Sequence, residues 1–248
     1  MKQLLIYDRP IALNRHQHRH LRIKPSLSDY QFASKLNSVP LTVTEFGDAL
    51  RDYPIVFAGS PDNASMPVAL LGLTQAENLF VQDDGLWDAG TYVPAFLRRY
   101  PFVVADQDQA DNFAVCVDGS FLSEEPDAVA LFDENGADTP ALAQAVKFLA
   151  DYQQAVARTR AFMEQLREHK LLVDKAIHVD RKGVARQSLN GFCIVDEARL
   201  NKLGARALEK LSRTGALGLA YLQVASLGNV KRLASRLDAR SQVPSPLH

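Results

Sequence analysis

Thr139-Pro140-Ala141-Leu142-Ala143-Gln144-Ala145-Val146-Lys147-Phe148-Leu149 is where the reading of this chain turns from strands to helices. Thr139 suits a helix N-cap, where its hydroxyl oxygen accepts an otherwise orphaned N–H, and Pro140 suits the first helical position, which needs no N–H. From Leu142 onward Val146, Leu149, Tyr152, Val156, Phe162 and Leu166 recur at helical spacing, leaving Asp151, Arg158, Glu164 and Arg167 for the other side. One face of this long helix is expected to pack on a sheet.

Upstream, the runs Tyr53–Ala58, Val68–Leu73 and Asn78–Val81 read as three largely buried strands, separated by Ser60-Pro61-Asp62-Asn63 and a polar turn. Phe102–Ala105 and Asn112–Val117 read as two more, joined as a meander across Asp106–Gln109, and Asp133-Glu134-Asn135-Gly136 reads as a turn. Short helical turns are expected in Tyr30–Leu36 and Phe46–Leu50, and an extended piece at Val39-Pro40-Leu41. Downstream, Leu171–Val173, Ala176–Val179 and the run around Phe192 suggest returning strands, with Arg181-Lys182-Gly183 as a turn between them. Asp196 then opens a helix, and Gly215–Leu237 supplies one or two more. The expected fold is α+β: a mostly antiparallel or mixed sheet in a single domain, residues 1–240, packed against several C-terminal helices, with 241–248 as a flexible tail.

With 248 residues, 47% of them apolar and 23% charged, the chain has ordinary globular composition. A net charge of -1 supplies no general field for a polyanion, so nucleic acid is not an expected partner. Asp8, Arg9 and Pro10 interrupt the short apolar run at the N-terminus, and no secretory signal is readable. Gly215–Leu227 is too short and interrupted to span a bilayer. A cytoplasmic location is the expectation. Cys116 and Cys193 sit in apolar strand-like runs with no CxxC spacing, as reduced core thiols do.

Tyr53–Phe57, Leu70–Leu73, Asn78–Val81, Asp84–Trp87, Tyr92–Phe102 and Val224-Ala225-Ser226-Leu227-Gly228-Asn229 together resemble the bacterial SapC family over nearly the whole chain. The central aromatic, proline and arginine block carries most of the resemblance. The family name implies an association with surface-layer proteins, and similar proteins occur in gene neighbourhoods with outer-membrane receptors and oxygenase- or halogenase-like enzymes. The resemblance supplies no catalytic residue set. The peptide-transport permease that shares the name is excluded by the want of membrane spans in this sequence.

The stretch Asp84–Phe102 holds the only tryptophan of the chain together with an arginine pair. Arg98 and Arg99 are suited to grip a carboxylate or phosphate, and Trp87, Tyr92 and Tyr100 to stack on a planar group, which makes these five residues the candidate ligand-binding set. The competing reading makes Val93–Leu97 a short helix beginning at proline, with Phe96 and Leu97 in the core and both arginines paired to surface acids. Asp83, Asp84 and Asp88 admit a paired-carboxylate reading, against which Asp84-Gly85 is a preferred hairpin turn. His16, His18 and His20 alternate; on an extended segment they share one face at a spacing that suits zinc, although Arg15, Arg19, Arg22 and Lys24 crowd the segment with positive charge. A solvated basic edge is the preferred reading, and metal the alternative.

No GxSxG, P-loop or dinucleotide fingerprint is present. The leading expectation is a binding protein for a protein or small-molecule ligand, without evident catalytic machinery or cofactor, in a bacterial envelope or nutrient-uptake context. The alternatives are a metal-dependent enzyme acting on a peptide or amino acid through the histidines, and a structural protein self-associating through the helices after Pro140 and after Gly215.

Overall fold

The computed structural model describes residues 6–24, 29–105, 114–123, 125, 127–179 and 187–242. In chain order these carry β1 (Pro10–Ala12), β2 (Arg22–Ile23), β3 (Ser38–Pro40), α1 (Phe46–Ala49), β4 (Ile55–Ala58), β5 (Met66–Leu70), α2 (Ala95–Arg98), β6 (Phe102–Ala105) and β7 (Ala114–Asp118). There follow β8 (Leu122–Ser123), β9 (Val129–Ala130), α3 (Pro140–Glu168), β10 (Leu172–Val179), β11 (Gln187–Val195), α4 (Glu197–Leu200), α5 (Ala205–Arg213), α6 (Ala216–Ser226) and α7 (Asn229–Gln242). The fold is α+β, but the strands form three antiparallel sheets instead of one, ordered β10-β11-β4-β5-β3, β1-β7-β6 and β8-β2-β9.

The five-stranded sheet grows from the β4–β5 hairpin. Its turn closes because the Asn63 side chain accepts from Ser60 N at 2.8 Å while Gly59 takes φ +102°, and a Cβ there would lie 2.6 Å from Asn63 Oδ1. Ile55, Val56 and Phe57 are all fully buried, so alternate side chains on both faces of β4 are covered. The two expected strands Leu171–Val173 and Ala176–Val179 are one strand, β10, whose pairing with β11 slips between Lys175 and Ile177. Gly191, at φ +87°, supplies the extra residue of that bulge.

Between β4 and β11 the ladder pairs Phe192 with Ala58 and Cys193 with Phe57, stopping short of Val195 and Ile55. There the Gln223 amide of α6 inserts, accepting from Val195 N at 3.0 Å and donating to Ile55 O at 2.8 Å. Ser226 accepts from Ile55 N at 3.0 Å, and Asn229 donates to Leu50 O and Tyr53 O at 2.6 and 3.2 Å. The segment from Gln223 to Asn229 thus fastens the C-terminal helices to the backbone around β4.

Helix α3 begins as expected, with Thr139 accepting from Leu142 N and Pro140 in the first turn. Leu142, Leu149, Tyr152, Val156, Phe162 and Leu166 are buried, whereas Val146 is 37% exposed. Phe162 packs edge-on to Phe46 of α1 and against Phe57 of β4.

Several local expectations are corrected. Asn78–Val81 forms no strand; it contributes one bridge, Val81 to Trp87, because a hairpin folds back at once. The strand expected over Val68–Leu73 ends at Leu70, where Leu71 N and Gly72 N turn to Asn37 O. The helix opened by Asp196 ends at Leu200 and α5 starts separately. Strands β1, β2 and β8 had no readable pattern, being two or three residues long and paired only through distant partners. The turns expected at Asp106–Gln109 and Arg181–Gly183, the start of the Asn112 strand and residues 243–248 lie outside the described residues. No helix among the described residues is long and apolar enough to cross a membrane.

Candidate functional site

Asp84-Gly85 makes the hairpin turn that its composition predicts. Gly85 takes φ +82°, Gly85 N donates to Gln82 O, Gln82 N donates to Leu86 O, and the Asp84 carboxylate accepts from Leu86 N at 3.0 Å. The other two acids take separate roles: the Asp83 side chain is fully exposed, and Asp88 pairs with Arg236 of α7 at 2.6 Å. Trp87 leaves the turn inward. It is 8% exposed, stacked on Phe80 and edge-on to Tyr30, within the main core.

Tyr92 and Arg98 sit instead on the wall of an open groove of about 610 Å³ between the α1 region, α2 and α3. At its base is Glu45, 4% exposed, whose two oxygens are filled from four sides. Thr42 N and Thr42 Oγ1 each donate to Oε2 at 2.8 Å, Ala95 N donates to Oε1 at 2.7 Å, and the Tyr92 hydroxyl donates to Oε1 at 3.1 Å. One buried carboxylate therefore caps two helical turns at once, its own and the start of α2. Burial, and then the Glu45 charge, push the Tyr92 hydroxyl up to about 12 against the opposing pull of Arg98.

Arg98 is held in place over this pair. It donates through Nε to Val93 O at 3.0 Å and through Nη2 to the Tyr92 hydroxyl at 3.0 Å, and its guanidinium lies 5.6 Å from the Tyr92 ring centre and 5.3 Å from that of Phe148. It is the one cation among the groove's described lining residues, facing a wall that also carries Asp48 and Asp151. Those two acids are engaged with Arg51 and Lys147 at 2.8 and 2.6 Å.

Arg99 and Tyr100 point elsewhere. Neither arginine pairs with a described carboxylate, contrary to the surface-ion-pair reading, although Phe96 and Leu97 are buried as that reading requires. Arg99 is 3% exposed, with Phe96, Tyr152 and Tyr7 rings at 4.4, 5.0 and 5.9 Å from its guanidinium carbon. Tyr100, which precedes a cis proline, stacks on Phe32 and donates to the fully buried Asp118 at 3.3 Å. Asp118 also accepts from Asp8 N, Arg9 N, Ser120 N and the Ser120 hydroxyl. Burial alone would raise its carboxyl; the hydrogen bonds from Ser120 and Asp8 outweigh that and hold it below the usual carboxylate value. The five expected site residues therefore do not share one surface: Tyr92 and Arg98 come together on the groove, while Trp87, Arg99 and Tyr100 are packed inside.

His16, His18 and His20 lie on a turn, not on an extended segment. Asn14 Oδ1 accepts from His16 N and Gln17 N, and His18 Nδ1 accepts from Asn14 N at 3.0 Å. Alternation therefore does not place the imidazoles on one face, and among the described residues no three His, Cys, Asp or Glu side chains gather as a metal site would require. Cys116 and Cys193 are both free and buried; burial, with Asp174 adding to it, pushes the Cys193 thiol up to about 11.

Glu45 is the residue that sequence reading missed. The signal was present as Thr42-Val43-Thr44-Glu45, a capping-box spacing. What it could not convey was that the same carboxylate reaches Tyr92 and Ala95, some fifty residues on.

The geometry defines an α+β protein with an open groove walled by aromatic rings and fixed polar groups. The SapC family model matches residues 13–233, and the chain belongs to the SapC family. No curated protein and no solved structure matches it.

Proposed function

We propose that this protein binds a small-molecule or peptide ligand in the Tyr92–Arg98 groove, without catalytic machinery of its own, in the envelope or nutrient-uptake setting that the family resemblance suggests, and from the cytoplasm. The observation that carries the reading is the pre-set guanidinium of Arg98, sandwiched between Tyr92 and Phe148 on the wall of an accessible groove. With one N–H on Val93 O and one on the Tyr92 hydroxyl, three of its five donors are left unused by described residues. Fixing such a group before the ligand arrives lowers the ordering cost of binding. The binding set accordingly contracts from five residues to Tyr92 and Arg98, with Phe148 and Tyr152 as apolar walls. The same reading treats residues 1–240 as one unit, supported by a main core that draws residues from Ile6 through Leu237.

A thermal-shift screen of metabolites and short peptides, followed by titration of hits against Arg98→Ala and Tyr92→Phe, tests the proposal. At least tenfold weaker binding to Arg98→Ala, with the variant melting near wild type, supports it. A genuine ligand whose affinity is indifferent to both substitutions refutes it.

A further inference from the structure

A guanidinium cannot shed its proton at any relevant pH, so a buried arginine ordinarily sits against a carboxylate. Arg99 does not. Its side chain is buried and faces three aromatic rings, with the Tyr7 hydroxyl close enough for Arg99 to pull on its proton, yet among the described residues its Nε and Nη2 have no hydrogen-bond partner of ordinary geometry. The identity of those two atoms matters. The Nε–H and the adjacent Nη2–H run parallel along one edge of the guanidinium, the edge that takes a carboxylate side-on through two hydrogen bonds.

Arg99 stands behind residues that line the groove. Arg99 N donates to Ala95 O, one turn back on α2, and Ala95 lines the groove. Tyr152 also lines the groove, and the Arg99 guanidinium carbon stands 5.0 Å from the centre of its ring. Tyr152 thus touches both sides: burial raises its hydroxyl first, Arg99 lowers it and Glu45 raises it. Glu45 itself is not free to serve Arg99, since its oxygens already accept from Thr42, Tyr92 and Ala95.

We infer that Arg99 is an internal receptor for a carboxylate, entered from the Tyr92–Arg98 groove when the Tyr152 ring turns aside. The inference rests on the groove as the ligand site and assigns that ligand a carboxylate. A planar monoanion matches the two parallel donors and leaves a neutral pair among the rings. A phosphate dianion would leave a net charge there, which an apolar surround penalises.

The test is an NMR titration of the arginine Nε–H resonances in ¹⁵N-labelled full-length protein with acetate, benzoate and inorganic phosphate at constant ionic strength. The Arg99 signal is assigned by its absence from Arg99→Met, or from Arg99→Lys if the first variant does not fold. Saturable movement of the Arg99 signal with acetate or benzoate, and affinity at least tenfold weaker in Arg99→Lys, which keeps the charge but loses the paired donors, are the expected results. An Arg99 signal indifferent to both carboxylates, or one that follows phosphate instead, overturns the inference. So does undiminished carboxylate binding by Arg99→Lys. Arg98→Ala separates the two readings: movement at Arg98 alone leaves the groove and removes the receptor, whereas unchanged Arg99 binding in Arg98→Ala leaves the receptor and removes the groove as its entrance.

Discussion

Replacing Arg99 with methionine should make the protein more stable. The side chain is 3% exposed, and two of its nitrogens are buried without partners among the described residues. Each buried polar group left unsatisfied costs about 1–3 kcal/mol, which for the pair is about 2–6 kcal/mol. The three rings return part of this. Cation–π contacts are worth about 0.5–2 kcal/mol each, strongest here for Phe96 at 4.4 Å and weakest for Tyr7 at 5.9 Å. Methionine keeps the unbranched apolar stem, places sulfur among the same rings and removes the charge, with each sulfur–aromatic contact worth about 0.3–1.5 kcal/mol. Exchange of a buried ion pair for apolar side chains of similar volume is commonly neutral or stabilising by about 1–4 kcal/mol, and for this one unpaired ion we expect about 2 kcal/mol. For a chain of this size that corresponds to a rise of about 4–8 °C in Tm. Calorimetric melting at pH 7, in a buffer free of carboxylates, with urea unfolding as a second measure, reads it directly. A loss of about 3–5 kcal/mol, the signature of stripping one partner from a buried ion pair, would refute the reasoning by showing that the guanidinium is compensated.

Gln223→Leu fills a similar volume but leaves Val195 N and Ile55 O unbonded; a loss of about 1–3 kcal/mol for each is expected as a lower urea midpoint with the slope unchanged. Asp118 has a carboxyl held below its ordinary value of 3.8, so its contribution is complete above that pH and disappears as the pH falls through the lower folded value. Asp118→Asn should therefore be less stable than wild type at pH 7, with the gap closing on acidification below about pH 4, measured as Tm against pH. Cys116 and Cys193 should both resist a thiol reagent in the native protein and react together in urea, since both are buried and burial raises both thiols; fast native labelling of either would contradict their placement.

Where a feature depends on neighbours in sequence, the sequence reading holds. The Thr139-Pro140 helix start, the Asp84-Gly85 and Asp133–Gly136 turns and the Asp196 cap all rest on hydrogen bonds spanning two to four residues, and all are found. Where it depends on distant chain, the reading fails. Strand β1 exists because Pro10–Ala12 meets Cys116–Asp118, and β2 because Arg22-Ile23 lies between Leu122-Ser123 and Val129-Ala130. The histidine alternation gives no common face, because alternation implies one only on a strand and Asn14 bends that segment into a turn.

The amino-acid order alone determined the α+β class, the long capped helix and the family to which the chain belongs. Tertiary structure decided what the adjacent arginines are for. Arg98 and Arg99 are neighbours of the same type, yet the short helix α2 rotates one toward the groove and the other into a box of rings drawn from Tyr7, Phe96 and Tyr152. Two of those rings come from the N-terminal segment and from α3. The environment that separates an accessible guanidinium from an enclosed, unpaired one is made by residues about fifty to ninety positions away, and no local pattern encodes it.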